Sequence, residues 1–211
     1  VDSTCDFTQE EYKALDVHMV PLSVLIDGEV FKDQVEISSE QFYERMAASD
    51  GLPQSSQPTP HEFEQMYTSL AEQGYDGVIA IHIAGVLSGT IESSRTAAEQ
   101  VDIDVRVLDG ARAGATASVA LVVAEICKMR DAGATLDEAE AKAKELLAMA
   151  EFLVAPETLE NLLKGGRLSA DQVKNASLLN IKPIFTFNEK GILVAYGKAK
   201  GMRGVIKTFV S

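Results

Sequence analysis

The chain has 211 residues, 46% of them hydrophobic but only 6% aromatic, with no Trp and a net charge of −13. That length suits one large domain or two small ones around an aliphatic core, and no run of about 18 apolar residues exists to span a membrane. The charge divides unevenly, with net −17 over residues 1–150 and net +4 over residues 151–211. The first part therefore offers no phosphate-neutralising face to nucleic acid, while the basic excess near the end suits a small anion.

The sequence opens on Val1 rather than Met, with no basic and apolar leader, and Val1-Asp2-Ser3-Thr4 reads as the end of a strand with residues missing before it. Cys5 and Cys127 stand far apart in no CxxC spacing, which fits two free thiols in a reducing cytoplasm. His18, His61 and His82 are scattered, and no ligand spacing points to a structural metal.

In chain order, Val24-Leu25-Ile26 and Val30-Phe31 flank Asp27-Gly28, a hairpin signal. Ser38-Ser39-Glu40-Gln41 opens an amphipathic helix. Gln54-Ser55-Ser56-Gln57-Pro58 reads as a polar loop. Thr59-Pro60-His61-Glu62 is a capping box with Pro at the first helical position, and Gly74 stands where that helix should stop. Gly77 to Ile83 and Ile103 to Leu108 are apolar strand runs, each preceding a helix. Thr135-Leu136-Asp137-Glu138 is a further capping box, followed by Glu138/Lys142 and Glu140/Lys144 pairs, and residues 151–155 (EFLVA) form another strand run. Strand–helix alternation of this kind predicts an α/β fold with a mainly parallel sheet covered by helices. Beyond a boundary near residue 155 the pattern changes. Two short helices near 158–164 and 169–179, the second opened by Ser169-Ala170-Asp171-Gln172, lead to strands at Pro183–Phe187 and Ile192–Tyr196. Residues 156–211 thus read as the start of a smaller α+β domain with an antiparallel hairpin. That is few residues for an independent core.

Gly110-Ala111-Arg112-Ala113-Gly114 lacks the third glycine of a dinucleotide fingerprint and the Gly-Lys-Ser/Thr of a phosphate loop, so it reads as a turn. Leu87-Ser88-Gly89-Thr90 lies between a strand and a helix, where free N–H groups, the helix dipole and two hydroxyls suit a carboxylate or phosphate. Ser88 as a simple helix cap stands level with that reading. Ser88 as the nucleophile of a stand-alone hydrolase or kinase is the rival function, but there is no GxSxG elbow and no evident His–Asp partner pair. Gly165 reads as a helix cap, and Gly166 could let the chain turn so that Arg167 points inward, where its guanidinium fork suits an anion; a surface Arg after a cap is the other reading. Lys198, Lys200 and Arg203 add positive charge.

Taken together, Asp2-Ser3-Thr4-Cys5-Asp6, Ser56-Gln57-Pro58, Ile81-His82-Ile83 leading to Leu87-Ser88-Gly89-Thr90, Gly165-Gly166-Arg167-Leu168-Ser169 and Asn180-Ile181-Lys182-Pro183-Ile184 resemble the DegV family in its own order, end to end. The resemblance implies a two-domain α/β carrier without catalytic machinery of its own. It would hold one long-chain fatty acid, need no cofactor, and present the carboxylate to a separate ATP-dependent fatty acid kinase subunit. Carried over by position, Ser55 or Ser56 and Ser88, with Gly89 and Thr90, would bind the carboxylate, and Arg167 would hold the head group or meet the phosphate. Lys200 stands where the family commonly has Arg, which replaces a bidentate fork by a point charge. The resemblance also implies further strands beyond residue 211 and a histidine near the head group.

Overall fold

The computed structural model describes residues 1–166, 181–188 and 191–210. Helix α1 (Gln9–Ala14) precedes the antiparallel hairpin of β1 (Ser23–Ile26) and β2 (Glu29–Lys32). Asp27 and Gly28 both take positive φ, 51° and 84°, the geometry of the type I′ turn that this dipeptide favours. Helix α2 (Ser39–Ala48) leads to β3 (Gln54–Ser56), which pairs with the other edge of β1. Then come α3 (Pro60–Glu72), β4 (Gly77–His82), α4 (Thr90–Ala98), β5 (Asp104–Asp109), α5 (Thr116–Asp131) and α6 (Leu136–Met149).

β4 and β5 run parallel, from Gly77 opposite Asp104 to His82 opposite Asp109. Successive side chains leave opposite faces of such a pair, so its apolar run serves two cores at once. Ile81 and Leu108 pack with Val119, Val123 and Leu147 of α5 and α6. Ala80 packs with Phe63 and Tyr67 of α3 and Ala97 of α4, joined by Val78 and Val107. The chain is therefore an α/β protein whose parallel pair is covered by helices on both faces. Cys5 and Cys127 are unpaired and buried in the first of these cores.

Helix starts follow the local code. Thr8, Ser38, Thr59 and Thr135 each close a reciprocal capping box with the residue three places on, each cap contributing about 1 kcal/mol. In α6 the box alters the expected ion pairs. The Glu138 carboxylate accepts the Thr135 N–H and hydroxyl, both at 2.8 Å, so Lys142 reaches Glu145 instead (3.0 Å), while Glu140 and Lys144 pair as expected at 2.5 Å.

After α6, residues 151–155 form no strand. A single antiparallel bridge joins Val154 to Phe185, because Pro156 has no N–H and restrains Ala155 before it. Helix α7 (Glu160–Lys164) follows, then the antiparallel hairpin of β6 (Ile181–Phe187) and β7 (Leu193–Lys200), with an irregular step between Ile184 and Phe185, and helix α8 (Gly201–Phe209). The helix expected near 169–179 lies outside the described residues. No helix among the described residues is long and apolar enough to cross a membrane.

Candidate functional site

The turn after β4 is held from several sides. The Ile83 N–H donates to Asp2 (2.9 Å), and the Gly85 and Ala111 N–H groups share the Asp109 carboxylate at 3.0 and 2.7 Å. Leu87 and Ser88 fold back on the Ala84 carbonyl, which places Ser88 beside the first turn of α4. The residue that caps α4 is Gly89, with no side-chain cap. Ser88 Oγ lies 2.8 Å from Thr90 Oγ1 and accepts only a long bond, 3.3 Å, from the Thr90 N–H. Ser88 and Thr90 thus form a coupled hydroxyl pair at a helix N-terminus, where the dipole and free N–H groups favour an anion.

The polar loop at 54–58 begins as strand β3. Weak local propensity is overridden by the open edge of β1, which supplies partners for the backbone. Its register separates two serines that the sequence leaves equivalent. Ser55 stands opposite Val24 and Ser56 opposite Ser23, and directly paired residues share a face. Ser55 therefore shares the face of Val24, whose cluster includes Ile26 and Phe42, and Ser56 faces the other way. An open groove of about 760 Å³ lies here, lined by Phe42, Met46, Leu52, Gln54, Ser55, Asn161, Leu162 and Lys164, within the range of about 300–1,000 Å³ usual for ligand sites.

Gln57 carries this region to the Ser88 turn. Its side-chain amide donates to Ser93 Oγ of α4 at 3.1 Å. The same amide covers Gly89 so closely that a Cβ there would stand 2.3 Å from its oxygen. The structure thus brings the loop of Ser55 and Ser56 against the turn of Ser88, Gly89 and Thr90.

Beneath that turn lies a buried hydrogen-bond chain that sequence reasoning missed. His82 Nδ1 is 3.2 Å from Asp2, His82 Nε2 is 2.8 Å from Ser94 Oγ, and Ser94 Oγ is 2.6 Å from the Tyr67 hydroxyl. Burial holds His82 below its ordinary value, so the ring is neutral. Burial alone would raise Asp2, but hydrogen bonds from His82, Thr4 and the Ile83 N–H hold it below the usual carboxylate range. Burial also pushes Tyr67 up to about 12 despite its bond to Ser94. With these protonation states the chain runs one way: Tyr67 donates to Ser94, Ser94 to His82, and His82 to Asp2. A His–Asp pair therefore exists, contrary to the sequence reading, but it serves Ser94 rather than Ser88. Ser94 is 0% exposed, so the constellation resembles a hydrolase relay in residue type while its hydroxyl meets no solvent.

The second part docks on the same end of the parallel pair. Phe185, Phe187 and Leu193 pack with Leu87 and Phe152. Phe187 lies on Gly114, which has φ +70° and where a Cβ would stand 2.3 Å from the ring. The Gly110–Gly114 turn is thus a brace: Gly110 N–H donates to the His82 carbonyl and Ala84 N–H to the Gly114 carbonyl, both at 2.8 Å. Lys200 is exposed at the far end of β7, opposite Ile181, which is roughly 20 Å along the strand from Leu193. Arg167 lies outside the described residues. A separate cavity, about 470 Å³, runs beside β4 between Val17, Val20, Val78 and Ile126 and touches none of the hydroxyl-bearing loops.

A family model described as "Uncharacterised protein, DegV family" matches residues 1–211. The chain belongs to the DegV family. A DegV domain-containing protein of Streptococcus pyogenes serotype M3 is 39% identical over 184 residues, 87% of this chain and 65% of the relative. One from Listeria innocua is 34% identical over 207 residues, 98% of this chain and 72% of the relative. This DegV chain thus spans 65% of the length of the streptococcal relative it matches. Among solved structures, the DegV family protein from Thermus thermophilus described for its fatty acid binding aligns with TM-score 0.86 at 32% identity, covering 99% of this chain and 75% of the other. DegV from Bacillus subtilis, described as a fatty acid binding protein, aligns with TM-score 0.88 at 28% identity, covering 99% and 73%. A stearic acid-binding protein from Eubacterium ventriosum aligns with TM-score 0.87 at 28% identity, covering 98% and 72%.

Proposed function

We propose that this chain is a fatty-acid carrier with no catalytic machinery of its own. It buries a long-chain acyl tail in the groove beside α2 and sets the carboxylate against Ser55 or Ser56, Ser88, Gly89 and Thr90. It then presents that carboxylate to a separate ATP-dependent fatty acid kinase subunit for acyl phosphate formation. The observation that carries the reading is the open groove of about 760 Å³ between Phe42, Met46, Leu52 and Leu162, which has Ser55 in its wall, while Gln57, two residues on, packs on the Ser88 turn. Tail burial supplies about 0.8 kcal/mol per methylene. A buried carboxylate is costly unless donors meet it, and the hydroxyls and helix N-terminus are such donors.

Three structural neighbours described as binding fatty acids share the fold, which supports the same ligand class here. In this reading the head group sits at the junction of two domains divided near residue 155. Arg167 meets the head group or the transferred phosphate, and Lys200 adds charge once the kinase is engaged. The two unpaired, buried cysteines favour a reducing, cytoplasmic setting. The rival reading, an enzyme using Ser88, finds no base at that hydroxyl among the described residues, because the His82–Asp2 pair is committed to Ser94.

Native mass spectrometry of the full-length protein, before and after organic extraction, tests the ligand. A mass difference equal to a long-chain acid is the expected result. A protein that carries no lipid and takes up no hexadecanoic acid overturns the reading. With ATP and a fatty acid kinase subunit from the same organism, the bound acid should become acyl phosphate; with ATP alone it should not.

A further inference from the structure

Ser93 and Ser94 are consecutive residues of α4, about 100° apart around the helix, and both are buried, at 4% and 0% exposure. Neither is explained by the stability of α4 alone. Alanine is the better helix former, and a buried hydroxyl must recover its desolvation cost through its partners. The partners are what distinguish the pair. Ser93 is held by Gln57, from the segment that follows β3. Ser94 is held by His82 at the end of β4 and by Tyr67 of α3.

The two hydroxyl-bearing segments of the site lie on separate elements. Ser55 belongs to β3, an edge strand of only three residues. Ser88 and Thr90 belong to the turn between β4 and α4. A carboxylate bound by both needs their spacing fixed to within about 0.5 Å, and so short an edge strand cannot impose that by itself. Gln57 spans the gap, with its amide on Gly89 and its N–H on Ser93. The Ser94–His82 bond sets the rotation of α4 against β4, and with it the place where Ser93 meets Gln57.

We propose that Gln57, Ser93, Ser94 and His82 form a positioning device that sets the spacing between the Ser55 strand and the Ser88–Thr90 turn, and so the grip on the carboxylate. These are positioning residues: none of them touches the fatty acid. The inference rests on the fatty-acid reading above and adds the residues that tune its head-group end.

The test compares two ligands with one tail, hexadecanoic acid and hexadecanol, by displacement of anilinonaphthalene sulfonate from the full-length protein and from its Gln57→Ala and Ser93→Ala variants. Gln57 is exposed, so its truncation leaves the cores intact. In each variant the acid should lose at least about tenfold in affinity, the scale of a charged hydrogen bond made poorly, while the alcohol stays within about twofold. The double variant should be no worse than Gln57→Ala alone, because that variant already removes the bond to Ser93. Loss of acid and alcohol in parallel would mean a merely structural role and overturn the proposal, as would an unchanged affinity for the acid. If the parent protein bound neither ligand, the fatty-acid reading itself would fall, a result distinct from parent binding with insensitive variants.

Discussion

Ser88 and Ser94 lie on either side of the start of α4, six residues apart in sequence, and their surroundings differ in every respect that decides what a hydroxyl does. Ser94 is wholly buried between Tyr67 and His82, with its proton and one lone pair both engaged. Ser88 is half-buried, and the described partner of its hydroxyl is Thr90, through a hydroxyl contact and a long N–H bond. The first is a closed account, in which every polar atom has a counterpart inside the protein. The second keeps hydrogen-bonding capacity beside a helix N-terminus. Residue type does not tell these serines apart; the inventory of partners among the described residues does, and it assigns Ser94 to the scaffold.

The comparison is broken most forcefully by removing the centre of the closed chain. His82→Ala removes one of the donors to the buried Asp2 carboxylate, leaving Thr4 and the Ile83 N–H, and opens space beside Phe63, which packs edge-on to the imidazole with ring centroids 5.0 Å apart. Losing a hydrogen bond to a buried charge, about 1.5–3 kcal/mol, together with the packing of the ring should make this the largest loss of stability in urea unfolding. A loss under about 1 kcal/mol would show that the chain does not support the fold. On the open side the effect should fall on the ligand. Ser88→Ala should leave stability within about 0.5 kcal/mol, yet weaken fatty acid binding by about 1.5–3 kcal/mol, the value of a hydrogen bond to a charged group. Calorimetric melting and ligand titration on one preparation read both, and an undiminished affinity would return Ser88 to the scaffold.

Acid sharpens the contrast at smaller scale. The folded state holds His82 below its ordinary pKa by burial. As pH falls through the unfolded value of about 6.5, the unfolded chain therefore takes up a proton that the native state refuses. The stability that depends on neutral His82 is present above that pH and lost below it, at no more than about 1.4 kcal/mol per pH unit. A urea midpoint that falls from about pH 7.5 to about pH 5, with a shallower fall in His82→Gln, is the expected outcome. A parallel fall in both proteins would place the sensitivity elsewhere. The smallest effect separates the two neighbouring serines. Ser55→Ala should weaken fatty acid binding, whereas Ser56→Ala, on the other face of β3, should change it by less than about 0.5 kcal/mol. The reverse order would show that the β3 register does not govern the site.

Much of the fold was legible in the residues because its signals are local. A capping box acts across three residues, which is why the starts of α2, α3 and α6 stand where Ser38, Thr59 and Thr135 place them. Asp27-Gly28 takes the two positive φ values that its turn requires, and the apolar runs of β4 and β5 announce strands covered on both sides. The resemblance named both the Ser88 turn and the 54–58 loop, which meet through Gln57.

What the sequence did not carry depends on contacts across long stretches of chain. Gln54–Ser56 is a strand only because β1 offers it an open edge, and that register alone decides that Ser55, not Ser56, shares a face with Val24. Asp2 and His82 meet across 80 residues of sequence, so no spacing rule announces their pair. Their union with Ser94 is settled by the packing of α3 and α4 on one face of the parallel pair. The sequence by itself determined where the elements begin, through bonds that each segment makes to itself. Tertiary structure decided which hydroxyls are engaged among the described residues, because a hydrogen-bond partner inside the protein is supplied by whichever segment folding brings alongside.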